Sequence, residues 1–413
     1  MSLLSDLRSL TPPQRSAILA SYLGWTLDAF DFFLLVFLKP AIGAAFGVDD
    51  AAVSELLFAT LAARPFGAFA FGWAADRFGR RPVLMIVILL FSAFSVVSGL
   101  AWSFWSLLVI RALFGFAMGG EWGVGASLVM ETVPPRLRGL VSGLLQSGYP
   151  SGYFLASIAF GLFYDHVGWR GMFFIGVVPA LVVFLIRARV EESPVQATML
   201  AAAAGKPRLN PLREIAANWR IALYLVVMMT AFNFFSHGTQ DQYPTFLKMQ
   251  HGFGTHTISL LTIVMNLGAI VGGLAFGIWS ERIGRRRAIA IASLLALPVV
   301  PLWAFSATPL LLGLGAFLIQ VAVQGAWGVV PAHLNELSPP RLRGLFPGVA
   351  YQLGNLIASR NAPFQASLAH AHGGDYGYAL ALVAGVTAVV LAGWTWFGPE
   401  RRDVDFGVEA GAS

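Results

Sequence analysis

The chain has 413 residues, 57% hydrophobic and only 12% charged, with a formal net charge of +6 and no cysteine. Ordinary soluble domains carry about 25% charged residues, so this composition, with a mean hydropathy of +0.71, excludes a soluble enzyme, a disordered chain and a disulfide scaffold. What remains is a polytopic helical membrane protein with no basic polar domain for nucleic acid, its few charges in loops or at sites of function.

In chain order, residues 1–15 are polar, with Asp6, Arg8 and Arg15, and carry no cleavable-signal pattern. A bilayer-spanning helix takes about 20 apolar residues. Twelve such runs are expected, at about 16–38, 53–75, 82–101, 104–129, 140–163, 170–189, 219–243, 256–279, 288–306, 309–333, 344–369 and 376–397. They are continuous rather than alternating, unlike the strands of a membrane barrel. The longest polar break, 190–218, holds Glu191, Glu192, Lys206, Arg208, Arg213 and Glu214. It divides residues 1–189 from 219–413, each expected to form a six-helix bundle.

The halves repeat. Gly72-Trp-Ala-Ala-Asp76-Arg77-Phe-Gly79-Arg80-Arg81 returns as Gly277-Ile-Trp-Ser-Glu281-Arg282-Ile-Gly284-Arg285-Arg286, an offset of 205. Glu131-Thr-Val-Pro-Pro-Arg-Leu-Arg-Gly139 returns at the same offset from Glu336, and residues 118–144 match 323–349 at 13 of 27 positions. Six is an even number, so both halves enter the membrane from the same side and the repeats are parallel. With cytoplasmic termini, 21 of the 27 basic residues fall on the inside, in the termini, the 190–218 loop and the loops after runs two, four, eight and ten. Lys39, Arg170 and Lys248 fall outside, and Arg64, Arg111 and Arg360 remain within apolar runs.

The G-x-x-x-D-R-x-G-R-R segment and its copy resemble the loop signature of the major facilitator superfamily, and the likeness covers essentially the whole chain. It implies an all-α membrane protein of twelve helices in two parallel-repeat bundles. Asp76 with Arg77, and Glu281 with Arg282, are then expected to latch and release an inner gate. Arg111-x-x-x-Gly115-x-x-x-Gly119-x-x-x-Gly123 is similar to a second superfamily motif. Its glycines form a stripe for close helix contact, and Arg111 is expected either to pack with a local partner or to assist gating or coupling. Asn233-Phe-Phe-Ser236-His237-Gly238-Thr239-Gln240-Asp241-Gln-Tyr-Pro-Thr245 fits the pattern N-x-x-[ST]-H-x-[ST]-Q-D-x-x-x-T. That pattern resembles the lactate/pyruvate:proton symporters of the sialate:proton symporter family, where a Gln and an Asn three apart on helix 11 belong to the substrate path. Gln352 and Asn355 have that spacing.

A charge at the bilayer centre costs about 2.5–3.5 kcal/mol on insertion scales, so each intramembrane charge needs a partner or a purpose. Arg64 precedes Asp76 by twelve residues, about 18 Å along a helix, near mid-membrane. Its donor fork suits a carboxylate, either a substrate's or that of Asp28, Asp31 or Asp241. Arg360 is placed nearer the outer surface, as cavity anchor or outer-gate partner. Asp28 and Asp31 share a helix face, and Asp28 repeats as Asn233, an asymmetry expected if only one half titrates. Asn233, His237, Gln240 and Asp241 share one polar stripe, with His237 a turn from Asp241. Glu121, whose repeat equivalent is Ala326, is a proton site or an inner salt bridge.

Enzyme readings fail. Adjacent Ser236 and His237 point about 100° apart on a helix and cannot form a nucleophile–base bond, and neither a G-x-S-x-G elbow nor a P-loop is present. His370 and His372 alone make a weak metal site. No cofactor is expected, the proton gradient being the energy source. The resemblance implies a monomeric, multi-pass transporter of the cell inner membrane that moves a small monocarboxylate such as lactate or pyruvate with protons. The substrate would bind Arg64, Asn233, Gln352, Asn355 or Arg360, and the proton Asp28, Asp31, Glu121, His237 or Asp241. The alternatives are sialic acid or another organic acid, for which the lining is expected to be too rich in Phe, and a membrane sensor that does not transport.

Overall fold

The computed structural model describes residues 7–203, 210–402, 404–407 and 409. Asp6, Lys206 and Arg208 lie outside the described residues. The first half contains α1 (Pro12–Phe46), α2 (Asp50–Phe78), α3 (Arg80–Gly99), α4 (Phe104–Gly119), α5 (Glu121–Thr132), α6 (Arg138–Gln146) and α7 (Gly148–Ala188). Two short helices, α8 (Pro194–Ala203) and α9 (Pro211–Ala217), lie in the 190–218 segment. The second half contains α10 (Trp219–Gln240), α11 (Tyr243–Met249), α12 (Thr255–Ile283), α13 (Arg285–Phe305), α14 (Pro309–Leu337), α15 (Phe346–Ala358), α16 (Asn361–Ala371) and α17 (Tyr376–Trp396).

Among the described residues, ten stretches are long and apolar enough to cross a membrane. The twelve expected passes are recovered for two local reasons. The stretch 135–188 holds two, because Gly168 (φ 62°, ψ −176°) breaks helical geometry inside α7. A further pass is divided at Ser359–Arg360 into α15 and α16, each too short to count alone. The first pass starts earlier than its apolar run. Thr11 caps α1 by accepting from Gln14 N while the Gln14 side chain accepts from Thr11 N at 2.9 Å, and Pro12 occupies the first helical position.

Leu89, Leu113, Ile158, Leu181, Val271 and Leu314 lie exposed on outward faces. Backbone polar groups are satisfied within the helices, as a hydrocarbon environment requires.

The repeated loop motif folds the same way twice. Gly79 and Gly284 take φ of 108° and 95°, a backbone open to glycine and strained for other residues. The following arginine turns inward and is fully buried. Arg80 donates to Asp76 (2.5 Å) and Glu131 (2.9 Å), and Arg285 donates to Glu281 (2.9 Å) and Glu336 (2.9 Å). Each motif acid then reaches into the opposite half. Asp76 accepts from the backbone N–H of Gly344 (2.8 Å) and Leu345 (3.0 Å), and Glu281 accepts from that of Gly139. Ser127 Oγ adds a bond to Arg343 O at 2.6 Å. The expectation for Arg77 and Arg282 needs correction. Arg77 lies over the rings of Trp73 and Phe78, and Arg282 is exposed. The inward-turned partners are Arg80 and Arg285, because the non-helical glycine before each turns the chain so that the next side chain folds back onto the motif acid.

Glycines let backbones touch. A Cβ on Gly115 would stand 2.0 Å from Thr60 O, and one on Gly119 would stand 2.1 Å from Arg64 O. The glycine stripe therefore sets α4 directly against the α2 turn that carries Arg64. Gly119→Ala must push α2 away, and overpacking of this kind costs about 1–3 kcal/mol. Thermal unfolding in detergent should show that loss, and transport should fall further than stability because Arg64 moves.

Candidate functional site

Between the halves lies a small cavity of about 40 Å³. Its walls come from α1 (Trp25, Asp28, Ala29, Phe32), α2 (Leu61, Arg64), the α6–α7 segment (Gln146, Tyr149), α10 (Asn233, Ser236, His237, Gln240), α14 (Gln324, Trp327) and α15 (Tyr351, Asn355). On the side of the latching loops it is closed by packed aromatic rings. Trp25 lies 5.7 Å from Tyr149 and 6.2 Å from Tyr351, and Trp327 lies 5.6 Å from Tyr351. On the other side it admits solvent, where the Asp241 side chain is 40% exposed.

The first-half wall carries a buried ion pair. Arg64 Nη2 donates to Asp28 Oδ1 at 3.0 Å, with both side chains almost wholly buried. Only part of each group is used: Arg64 Nε and Asp28 Oδ2 have no hydrogen-bond partner among the described residues. A fork with donors to spare, beside an acid with a spare oxygen, can take a second carboxylate or a proton.

The second-half wall carries a triad. His237 Nδ1 lies 3.1 Å and 3.2 Å from the two Asp241 oxygens, and Nε2 lies 3.0 Å from Asn355 Oδ1. Both ring nitrogens face acceptors, an arrangement that suits a doubly protonated ring. Gln240 Nε2 donates to Ser236 Oγ (3.3 Å) and Gln320 Oε1 (3.0 Å), and Asn233 Nδ2 donates to Met229 O (2.7 Å). Helical spacing puts Asn233, Ser236, His237, Gln240 and the C-cap Asp241 on one face of α10, and Gln320 of α14 and Asn355 of α15 meet them there.

The Major Facilitator Superfamily model matches residues 19–255, more than half of the chain. The chain belongs to the major facilitator superfamily. The Sugar (and other) transporter model matches residues 216–401 of this facilitator. It is 30% identical to the sialic acid transporter NanX of Escherichia coli over 84% of this chain and 85% of that one. It is 28% identical to a carboxylic acid transporter protein homolog of Saccharomyces cerevisiae, covering 88% of this chain and 63% of that one. The solved proton:xylose symporter XylE matches with a TM-score of 0.77 at 20% identity, over 97% of this chain and 98% of that one, a likeness of fold. The facilitator is thus a membrane transporter and not an enzyme.

Of the residues singled out from sequence, Asp28, Arg64, Asn233, His237 and Asn355 line the facilitator's cavity, with Asp241 bonded to the last turn of its wall. Others do not. Gln352 is buried off the lining, with neither side-chain polar atom bonded among the described residues. Tyr351 and Asn355, four apart on α15, line the cavity in its place. Arg360 is exposed at the α15–α16 break and is not a cavity anchor.

Asp31 and Arg111 lie behind the Asp28–Arg64 pair. Asp31 is buried, and its Oδ1 has no partner among the described residues. Arg111 is fully buried with its guanidinium 3.8 Å from the Phe114 ring centre, and none of its three nitrogens is hydrogen-bonded among the described residues. Arg111 therefore has no part in the loop latch. The Phe-rich lining must also be corrected. Among the described residues, Phe32 is the one phenylalanine on the cavity, whereas five amides reach it: Gln146, Asn233, Gln240, Gln324 and Asn355. Phe33 and Phe37 turn aside to pack on Tyr153.

One partner was missed in the sequence. Arg187 counts there as a flanking base, yet it is buried and forms a two-pronged pair with Glu121, its Nη1 lying 3.0 Å from Oε2. It also donates to Ala20 O at 3.3 Å. A signal existed. Glu192 and Glu400 both accept from the N–H groups that open α3 and α13, which matches the last pass of each half at an offset of 208. Arg187 then corresponds to Thr395, just as Glu121 corresponds to Ala326, so the second half lacks both charges.

Proposed function

We propose that this facilitator moves a small monocarboxylate, of lactate or pyruvate type, together with a proton by alternating access. The supporting observation is the half-used Arg64–Asp28 pair on the cavity wall. A proton on Asp28 would release Arg64, and a substrate carboxylate would take its place on the guanidinium. Proton and anion then neutralise each other's charge before the cavity closes, which removes most of the cost of burying them. Asn355 and Asn233 bond the remaining oxygens, and the His237–Asp241 pair passes the proton from the open side. The latched face is the cytoplasmic one, the membrane is the inner cell membrane, and one chain suffices because it builds the whole cavity. Asp31 and Arg111 answer the charge change at Asp28 from behind, and Glu121 holds structure rather than a proton.

A second reading has its own support. Five amides and two cavity-lining indoles, Trp25 and Trp327, whose N–H groups lack partners among the described residues, suit a polyhydroxylated acid such as sialic acid.

Uptake of labelled lactate into proteoliposomes, with and without an inward proton gradient, tests the proposal. Gradient-stimulated uptake is expected in the intact protein and lost in Asp241→Asn. Absence of stimulation sinks the monocarboxylate reading. Normal concentrative uptake in both Asp241→Asn and His237→Ala removes the coupling assignment. Sialic acid competing better than lactate selects the second reading.

A further inference from the structure

The repeat supplies its own control for a feature outside the transport path. On the latched face of the second half, Arg286, Arg287, Arg401 and Arg402 line a pocket of about 530 Å³ together with Glu400. The first half lacks three of these four arginines. Arg286 matches Arg81, but Arg287 matches Pro82, and Arg401 and Arg402, next to the cap Glu400, match Ser193 and Pro194 next to Glu192.

Among the described residues, the carboxylates named next have partners of their own. Glu400 accepts from the backbone of Arg285 and Arg286, and Glu409 pairs with Arg343 and Arg401. Arg402 donates to the carbonyls of Glu281 and Arg282. Arg287 is exposed, and Arg286 is partly exposed, its Nε 3.8 Å from Glu400 Oε2.

An apolar groove adjoins this basic pocket. Arg220, Tyr224, Trp394, Phe397 and Pro399 line it, with 87% of Phe397 exposed. Tyr224 and Trp394 stack at 5.7 Å, and Trp394 Nε1 bonds Tyr224 O at 3.1 Å, so the groove wall is rigid. Arg286 ties the two together by donating to Gly398 O. The aromatic wall is also confined to this half, since Leu19 and Ile186 stand where Tyr224 and Trp394 do. Aromatic rings at the end of a span mark the membrane–water boundary, where basic pockets between helices take phosphate headgroups.

We propose that an anionic phospholipid binds here, its phosphate on Arg286 and Arg287 and one acyl chain in the groove beside Trp394 and Phe397. The site stands apart from the cavity and does not depend on which acid is carried.

The test is native mass spectrometry of the full-length protein, purified in detergent and titrated with phosphatidylglycerol or phosphatidylcholine of the same chain length. Phosphatidylglycerol should be retained preferentially. Arg287→Gln should weaken it about 5-fold, the worth of one basic residue near an anionic lipid surface, and Arg287→Gln with Arg401→Gln should weaken it further. Arg81→Gln, the first-half match, should leave retention unchanged. Equal retention of the two lipids, an Arg81→Gln loss as large as that of Arg287→Gln, or displacement of the lipid by inorganic phosphate would each overturn the proposal. Arg287 is exposed and outside the latch, so this variant should keep the native melting temperature. A melting shift without weaker lipid retention also counts against the site.

Discussion

Arg64→Gln should abolish uptake. The substitution removes the cation from the cavity wall and leaves Asp28 buried without its partner. Truncating one member of a buried hydrogen-bonded charge pair costs about 2–5 kcal/mol, so Vmax/KM should fall by about 30-fold at least, since 1.4 kcal/mol is a factor of ten. The variant should also be less stable, and that confounds a simple loss. The double variant Arg64→Gln, Asp28→Asn resolves it, because neither buried charge remains. It should recover the native melting temperature and still not transport. Arg64→Lys should fold and carry, with a raised KM, because an ammonium lacks the planar fork that grips a carboxylate. Full uptake by the double variant would show that the pair is a structural tie and nothing more.

The second large effect lies out of reach of solvent. Glu121 and Arg187 join α5 to the end of α7, and a Cβ on Gly24 of α1 would collide with both side chains. Three passes of the first half thus meet on one ion pair, a turn away from Asp28. Glu121→Gln or Arg187→Gln alone should lower stability by about 3–5 kcal/mol, since each strands a buried charge. Replacing both with Met should restore most of it, because apolar groups of similar volume often serve as well as a buried pair. Thermal unfolding of the four proteins in detergent forms the cycle. Two equal, additive single losses would mean that the charges do not act as a pair. A double variant that is stable but silent in transport would give the pair a functional role as well.

Much of this was legible before any coordinates. The scarcity of charge dictated a membrane protein. The constant 205-residue offset dictated two parallel halves, and the latch acids Asp76 and Glu281 were visible as the repeated position of a loop motif. On α10 the helical period alone put Asn233, His237 and Asp241 on one stripe, and the structure keeps them there. Periodicity works at such places because neighbours along one helix are fixed by local geometry.

What failed were judgements of facing and of partnership between helices. Gln352 was expected on the cavity beside Asn355, but the packing of α15 against its neighbours buries it off the lining. Arg360 lay in an apolar run, but the run breaks there and exposes it. Arg187 passed for a flanking base because its partner is 66 residues away. The phenylalanines expected on the lining turned into helix contacts, and amides from four different helical segments met in their place.

The sequence by itself determined the number of passes, the twofold plan and the residues too polar to be idle in a bilayer. The tertiary structure alone decided which of those residues meet. Asp28 finds Arg64, Asp31 lies beside Arg111, and Glu121 finds Arg187, because burial allows a charge to persist only where another helix brings its complement.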